Sequence, residues 1–192
     1  MDRSRHRGAR VGDARRRDPR RPRLRDAPAA GAPMTAHRLR LAAYGVILRE
    51  DRMLLARYVS PDGSQRHWTL PGGKVEHAED PYDAVVREVA EETGYRVAVE
   101  RLLGVDSRAR HVDWVPGGAE LHSVGVFYRA RIIGGRMRHE VDGSTDLAEW
   151  VPVAQIPELE RAVIIDVALR LERAQPADGH VPPVPVGGLL RH

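Results

Sequence analysis

The stretch that decides the fold is PGGKVEHAEDPYDAVVREVAEETGY, residues 71–95. It predicts a helix from Pro81 to Thr93, because Asp80 suits the N-cap, proline suits the first helical position and Gly94 suits the stop. Projected at about 100° per residue, this helix separates an apolar face from an acidic face. The acidic face carries Glu88, Glu91 and Glu92.

That acidic face is unfavourable for a helix that serves only stability. Like charges three and four residues apart repel by about 0.3 kcal/mol per pair, and the helix dipole disfavours anions near the C-terminal end. A bound divalent cation removes the conflict, and carboxylate oxygens suit Mg²⁺ or Mn²⁺; a solvated acidic face is the alternative. Gly72 and Gly73 favour a site, because glycines let the backbone approach a ligand closely. We expect Arg87 to pair with Asp83 one turn earlier and to orient the carboxylates.

The spacing of these residues resembles the Nudix box: Gly73, Glu79 and the run Arg87-Glu88-Val89-Ala90-Glu91-Glu92-Thr93-Gly94. Tyr95 stands where that box ends in a bulky aliphatic residue, and a tyrosine ring can fill a similar apolar slot. Residues 68–73 resemble the family's lead-in to the box, and residues 149–152 resemble its late strand.

The resemblance implies an α/β fold of the Nudix type, an α/β/α sandwich with a mixed β-sheet. It implies a Mg²⁺-dependent (or Mn²⁺-dependent) hydrolase that cleaves a pyrophosphate bond in a nucleoside diphosphate derivative or a nucleoside triphosphate. The implied metal ligands are Glu88, Glu91, Glu92, the carbonyl of Gly72 and, in support, Glu79. The implied catalytic set is Arg87, as a structural lock, with Glu88, Glu91 and Glu92. Glu88 is the first candidate for the general base, and an acid of the loop 140–146 is the second.

Four further residues are candidates for substrate contact: Lys74, His111, Glu140 and Asp142. Lys74 follows the glycines and is placed to reach a phosphate, whereas Glu140 and Asp142 belong to an acidic, turn-rich loop. An exposed lysine, a structural histidine and a solvated turn are the alternatives. The substrate stays open, because family members specific for ADP-ribose tend to carry a proline where His111 stands.

Two other functions stay open. The first is a module that senses a nucleotide without cleaving it, although such proteins usually lose acidic residues of the box and this chain has all of them. The second is an RNA 5′-end pyrophosphohydrolase aided by a basic N-terminal arm, which predicts binding that depends strongly on salt.

The chain has 192 residues, enough for one domain, which we place at residues 37–173. Residues 1–36 predict a disordered Arg-rich extension, with Met34 as an alternative start. Residues 1–33 hold eleven Arg and four Asp, so the net charge of +4 comes from this segment and does not indicate a nucleic-acid partner. Residues 174–192 are rich in Pro and Gly and predict a flexible tail.

Composition excludes several classes of protein. The chain has no cysteine, which rules out a disulfide scaffold, a thiolate metal site and a cysteine nucleophile. The longest apolar stretch, residues 41–48, is too short to span a bilayer, and the Arg-rich segment lacks the apolar stretch of an export signal. We therefore expect a cytoplasmic protein with a small nucleotide as its partner, no membrane and no nucleic acid; a homodimer stays open.

Hydrophobic patterning predicts the remaining elements. The predicted strands lie at residues 39–48, 52–58, 68–70, 97–105, 121–133 and 148–151. A last amphipathic helix is predicted from Pro157 to Arg173.

Overall fold

The computed structural model describes residues 36–114, 116–141, 143–185 and 190–191. The predictions for residues 1–35, including the start at Met34, and for Asp142 lie outside the described residues. Neither helix in the described ranges has the length and hydropathy of a transmembrane segment.

The described chain contains ten strands, two helices and one 3₁₀ turn. The strands are β1 Ala36–Val46, β2 Leu48–Arg49, β3 Arg52–Val59, β4 Arg66–Thr69, β5 Gly72–Lys74, β6 Tyr95–Val112, β7 Ala119–Gly135, β8 Thr145–Pro152, β9 Arg161–Ala162 and β10 Leu190–Arg191. The helices are α1 Pro81–Thr93 and α2 Val163–Ala174, and the 3₁₀ turn is Val153–Glu158.

The strands form two mixed sheets. The first has the order β5-β1-β7-β6, in which β1 and β7 are parallel and the other pairs are antiparallel. The second has the order β10-β9-β4-β3-β2, and β8 pairs with β3. The predicted α/β class with a mixed sheet is confirmed, and the strands divide between two such sheets.

Helix α1 forms as the sequence predicts. The Asp80 side chain accepts the N–H of Tyr82 at 2.8 Å, and Gly94 ends the helix in the left-handed region at φ 72°. The apolar face packs on one side of the first sheet, where a Cβ on Gly45 would lie only 3.0 Å from a methyl group of Val89. That close approach brings the helix down onto β1 and fixes the position of its acidic face.

Helix α2 packs on the opposite face of the first sheet, in a core that it shares with the second sheet. Phe127 of β7, Leu55 of β3 and Leu171 of α2 are fully buried members of this core. The first sheet is therefore sandwiched between helices, as the resemblance implied.

The last helix begins at Val163, so the prediction of a start at Pro157 is wrong. Pro157 lies in the 3₁₀ turn, and the two residues of β9 separate that turn from α2. The buried Arg161 explains the late start, because its guanidinium donates to the carbonyl of Pro157 and to both carboxylate oxygens of Asp166. These bonds hold the chain in a non-helical conformation before the helix.

Residues 174–192 are predicted to form a flexible tail, and within them the segment 175–185 packs against β6. Val181 and Val184 are buried in the core beneath α2. The N–H of Val105 donates to the carbonyl of Gly179 at 3.1 Å, and a side chain at Gly104 would collide with that carbonyl. Turn-forming composition predicted a loose chain, whereas the two valines supply enough apolar surface to anchor it.

We expect Val181→Asp to lower the melting temperature by at least about 5 °C, because a buried carboxylate without a partner costs several kcal/mol. Scanning calorimetry measures the change. The control is Val141→Asp, at a side chain that is 83% exposed. Equal melting temperatures for the two variants would show that the segment is not anchored.

Candidate active site

Glu92 is a buried carboxyl at the boundary between the two faces of α1. Only 3% of the residue is exposed, and its Oε2 accepts the N–H of Gly72 at 2.8 Å. Burial raises the pKa of Glu92 well above its ordinary value, and the nearby charges of Glu88, Glu140 and Glu91 raise it further. A buried carboxyl surrounded by like charges needs a proton or a cation to offset it.

Glu88 and Glu91 lie beside it in different environments. The Glu88 side chain is 16% exposed and lies against the backbone of Gly73, where a Cβ would come within 2.7 Å of Oε1. Burial raises the pKa of Glu88, opposed by the hydrogen bond from Arg87. The Glu91 side chain is 50% exposed. Nη1 of Arg87 lies 3.0 Å from Glu88 and 3.1 Å from Glu91, so it bridges the two carboxylates.

Gly72 brings the backbone to this cluster. It pairs with Tyr44 of β1, and the neighbouring pair is hydrogen-bonded, since Gly45 donates to Pro71 at 2.8 Å. In an antiparallel ladder the next pair is then not hydrogen-bonded, so the N–H and carbonyl of Gly72 both point away from β1. The N–H meets Glu92 there. At φ 138° this residue must be glycine, because a side chain would also strike the backbone of β1.

Arg87 locks the loop before the helix to the helix itself. Its Nε and Nη2 donate to the two carboxylate oxygens of Glu79 at 2.8 and 2.9 Å, and Nη2 also reaches the carbonyl of Lys74 at 3.3 Å. The N–H of Glu76 donates to Glu79 at 2.9 Å. The predicted pairing of Arg87 with Asp83 is therefore wrong. Glu79 lies before the helix in the chain, and only the fold brings its carboxylate to Arg87.

This lock makes stability depend on pH. The hydrogen bond from Arg87, with that from the N–H of Glu76, lowers the pKa of Glu79 from 4.5 to about 2. Because the pKa is lower in the folded chain, Glu79 contributes stability that is complete above about 4.5 and is lost as the pH falls towards 2. We expect carboxyl ¹³C shifts to titrate near 2 for Glu79, and at a clearly higher pH in Arg87→Ala, where only the hydrogen bond from the N–H of Glu76 remains. An unchanged titration in that variant would contradict the lock.

Two of the predicted substrate-contact residues lie near the cluster. Glu140 contributes to the raised pKa of both Glu88 and Glu92, and it is held by the N–H and hydroxyl of Thr145 at 3.0 and 2.8 Å. Lys74 belongs to the same short strand as Gly72, and its exposed Nζ lies 3.3 Å from Glu76.

His111 lies apart from the cluster. It pairs across β6 and β7 with Glu120, which pairs with His37 of β1. Tyr44 is seven residues further along β1, which corresponds to about 23 Å of strand. The His111 ring instead lies 3.0 Å from the carboxylate of Asp113. The structure therefore does not bring His111 to the glutamates.

Sequence reasoning missed a group of residues on the other face of the first sheet. Arg40 and Tyr44 of β1 line a cavity of about 40 Å³ together with Asp106 and Arg108 of β6. Side chains alternate between the two faces of a strand, so the sequence could have placed Arg40 and Tyr44 on one face. It could not have placed Asp106 and Arg108 beside them. Only the fold, in which β7 lies between β1 and β6, brings Asp106 and Arg108 to the same cavity.

The arrangement of the carboxylates fits a hard divalent cation in its chemistry. Among the described residues, no three His, Asp or Glu side chains are gathered closely enough to hold a metal ion; Arg87 contacts Glu91, and the N–H of Gly72 donates to Glu92. The atoms available as metal ligands are nevertheless all oxygens, which Mg²⁺ and Mn²⁺ prefer. The buried Glu92 is the observation that favours a cation, since its charge is opposed by every neighbouring carboxylate.

A glycine-rich strand that faces the acidic end of a helix, inside an α/β/α sandwich, is the arrangement that the resemblance to the Nudix box implied. Comparison with known families gives the same answer. The chain belongs to the NUDIX domain family, whose profile matches residues 38–170.

Known relatives extend this comparison. The ADP-ribose pyrophosphatase of Methanocaldococcus jannaschii is 33% identical over 119 residues, which are 62% of this chain and 65% of that protein. The putative 8-oxo-dGTP diphosphatase 2 of Mycobacterium tuberculosis is 32% identical over 141 residues, which are 71% of this chain and 92% of that protein. The chain spans less than half the length of two further curated relatives.

Solved structures support the fold. A NUDIX hydrolase from Nitrosomonas europaea superposes with a TM-score of 0.58 at 21% identity, covering 71% of this chain and 90% of that one.

Proposed function

We propose that this chain is a Mg²⁺-dependent (or Mn²⁺-dependent) hydrolase that cleaves a pyrophosphate bond in a nucleoside diphosphate derivative or a nucleoside triphosphate. The observation that carries the proposal is the convergence of two carboxylates on the backbone of β5: Glu92 on the N–H of Gly72 and Glu88 on Gly73. The names of the two relatives, which refer to ADP-ribose and 8-oxo-dGTP, support a nucleotide with linked phosphates as the substrate.

The residues that would hold the cation are Glu88, Glu91, Glu92 and the carbonyl of Gly72. When bound, a divalent cation offsets the charge of the diphosphate and makes a water molecule more acidic. Glu92 supplies a carboxylate whose position is fixed by burial and by the N–H of Gly72. Glu79 acts through Arg87, which it orients with two hydrogen bonds.

The attacking water gives its proton to a carboxylate as its oxygen bonds to phosphorus and the bridging P–O bond breaks. We assign this role first to Glu88, whose side chain is held between Arg87 and Gly73. Glu140 is the second candidate, because Thr145 fixes its carboxylate within electrostatic reach of the cluster. Lys74, next to the glycines, is proposed to contact a phosphate; Asp142 is kept as a candidate on the loop of Glu140.

The test is a panel of nucleotide substrates assayed with and without Mg²⁺ or Mn²⁺ in water enriched in ¹⁸O. We expect turnover that requires the metal, with ¹⁸O incorporated into a phosphate product. A label that appears only in the non-phosphate product would contradict attack at phosphorus. If the protein binds nucleotides tightly but releases no product with either metal, it is a sensing module and the proposal is wrong.

A further inference from the structure

The cavity on the α2 face of the first sheet has both apolar and polar walls. Tyr44 and Phe127 form one side, with ring centroids 5.5 Å apart, and Ile164 of α2 also lines the cavity. Its volume of about 40 Å³ has room for the edge of a ring or a few atoms, and not for a whole nucleotide.

Arg108 lines this cavity and is only partly satisfied. Its Nε donates to the carboxylate of Asp106 at 3.1 Å, and its Nη1 donates to the carbonyl of Val184 at 3.4 Å. Its Nη2 is buried and has no hydrogen-bond partner among the described residues. A buried donor without an acceptor is costly and uncommon in folded proteins, so this N–H is suited to an acceptor that a ligand brings.

The pairing of Arg108 with Asp106 favours a neutral acceptor at Arg108, although Arg40 brings a second positive charge to the cavity lining. Asp106 already offsets the guanidinium, and its side chain is 16% exposed. An added anion would have to displace that pairing, whereas a carbonyl oxygen can accept from Nη2 without disturbing it.

The cavity lies close to the carboxylate cluster. Tyr44, which lines it, pairs directly with Gly72, and the N–H of Gly72 holds Glu92. Neighbouring strands are about 4.8 Å apart, so one strand spacing separates Tyr44 from Gly72. Arg108 lies two strands beyond β1, level with Arg40, and lines the same cavity as Tyr44. A molecule whose phosphates lie at Glu88 and Glu92 can therefore place its attached ring at the cavity.

We propose that Arg108 determines substrate specificity by donating from Nη2 to a ring carbonyl of the nucleobase, an inference that rests on the proposed function. Bases with a carbonyl at this edge, such as hypoxanthine or guanine, are then preferred over adenine, which presents an amino group to the same donor. Val184, which holds Arg108 from the other side, lies beyond the matched residues 38–170. Segment 175–185 thus helps to position the Arg108 side chain.

The test compares two ligands that differ at one position. Inosine and adenosine diphosphates carry a carbonyl and an amino group, respectively, at ring position 6. Their dissociation constants are measured by calorimetry on the full chain, and kcat/KM is measured for the two triphosphates with Mg²⁺. We expect about a tenfold preference for the inosine compounds, the size of one hydrogen bond to a charged donor. Arg108→Met should abolish it.

Two further variants make the result specific. Arg110→Met changes an exposed arginine two residues along the same strand and should keep the preference. Arg108→Lys keeps the charge but lacks the second donor nitrogen, so it should lose the preference while the melting temperature stays close to that of the wild type. If Arg108→Met fails to fold, Arg108→Lys tests whether the guanidinium sets the preference.

The outcomes separate this inference from the proposed function. Equal binding of the two diphosphates by the wild type, or an unchanged preference in both Arg108 variants, would overturn the role of Arg108 even if hydrolysis occurs. A preference in binding that Arg108→Lys abolishes would support the role even if no nucleotide is hydrolysed, in which case only the proposed activity fails.

Discussion

Glu92→Gln is expected to keep the fold and to reduce metal-dependent turnover by about a hundredfold or more. The amide is nearly isosteric and its oxygen still accepts the N–H of Gly72, but it lacks the charge that a cation requires. Changes to groups that only support a metal ligand already cost about 10–100-fold, so a ligand itself should cost at least as much. Turnover is measured at saturating metal, and the melting temperature is measured without metal.

The control is Glu158→Gln, which removes an exposed carboxylate in the 3₁₀ turn. It should change neither quantity. We also expect Glu92→Gln to bind Mn²⁺ more weakly in calorimetry. Turnover equal to that of the wild type would show that Glu92 does not hold the metal, and an unfolded variant would show that the carboxylate is structural.

Arg87→Ala is expected to lower both activity and stability, by about tenfold in turnover and on the order of 5 °C in melting temperature. The substitution removes two hydrogen bonds to Glu79 and the bridge between Glu88 and Glu91. Glu79, Glu88 and Glu91 then lose the positive charge of the Arg87 guanidinium. The loop before α1 also loses its attachment to the helix. Calorimetry and steady-state kinetics measure the two effects.

A double-mutant cycle separates the lock from a general loss of charge. Because Glu79 and Arg87 bond to each other, the effects of Glu79→Gln and Arg87→Ala on stability should be clearly less than additive. Arg131→Ala, at a side chain 63% exposed, should leave stability and turnover unchanged. If Arg87→Ala is inactive but as stable as the wild type, Arg87 does not act as a structural lock.

The predicted features that the structure reproduces are those set by local interactions. Asp80, Pro81 and Gly94 are capping residues whose effects reach only a few positions, and the bounds of α1 agree with the prediction. The late start of α2 was missed for the opposite reason. Arg161 holds that turn through contacts with residues on either side of it and through the pairing of β9 with Trp68 of β4. The spacing of apolar residues along a helix does not reveal such contacts.

The acidic spacing on α1 could be read from the chain alone, because three glutamates at helical intervals share a face wherever that helix lies. Which of them is buried was decided by packing: Glu92 turns to the edge of the first sheet, whereas Glu91 remains half-exposed. The cavity that Tyr44 and Arg108 both line also depends on segments far apart in the chain. Contacts of that kind exist only once the sheets have assembled.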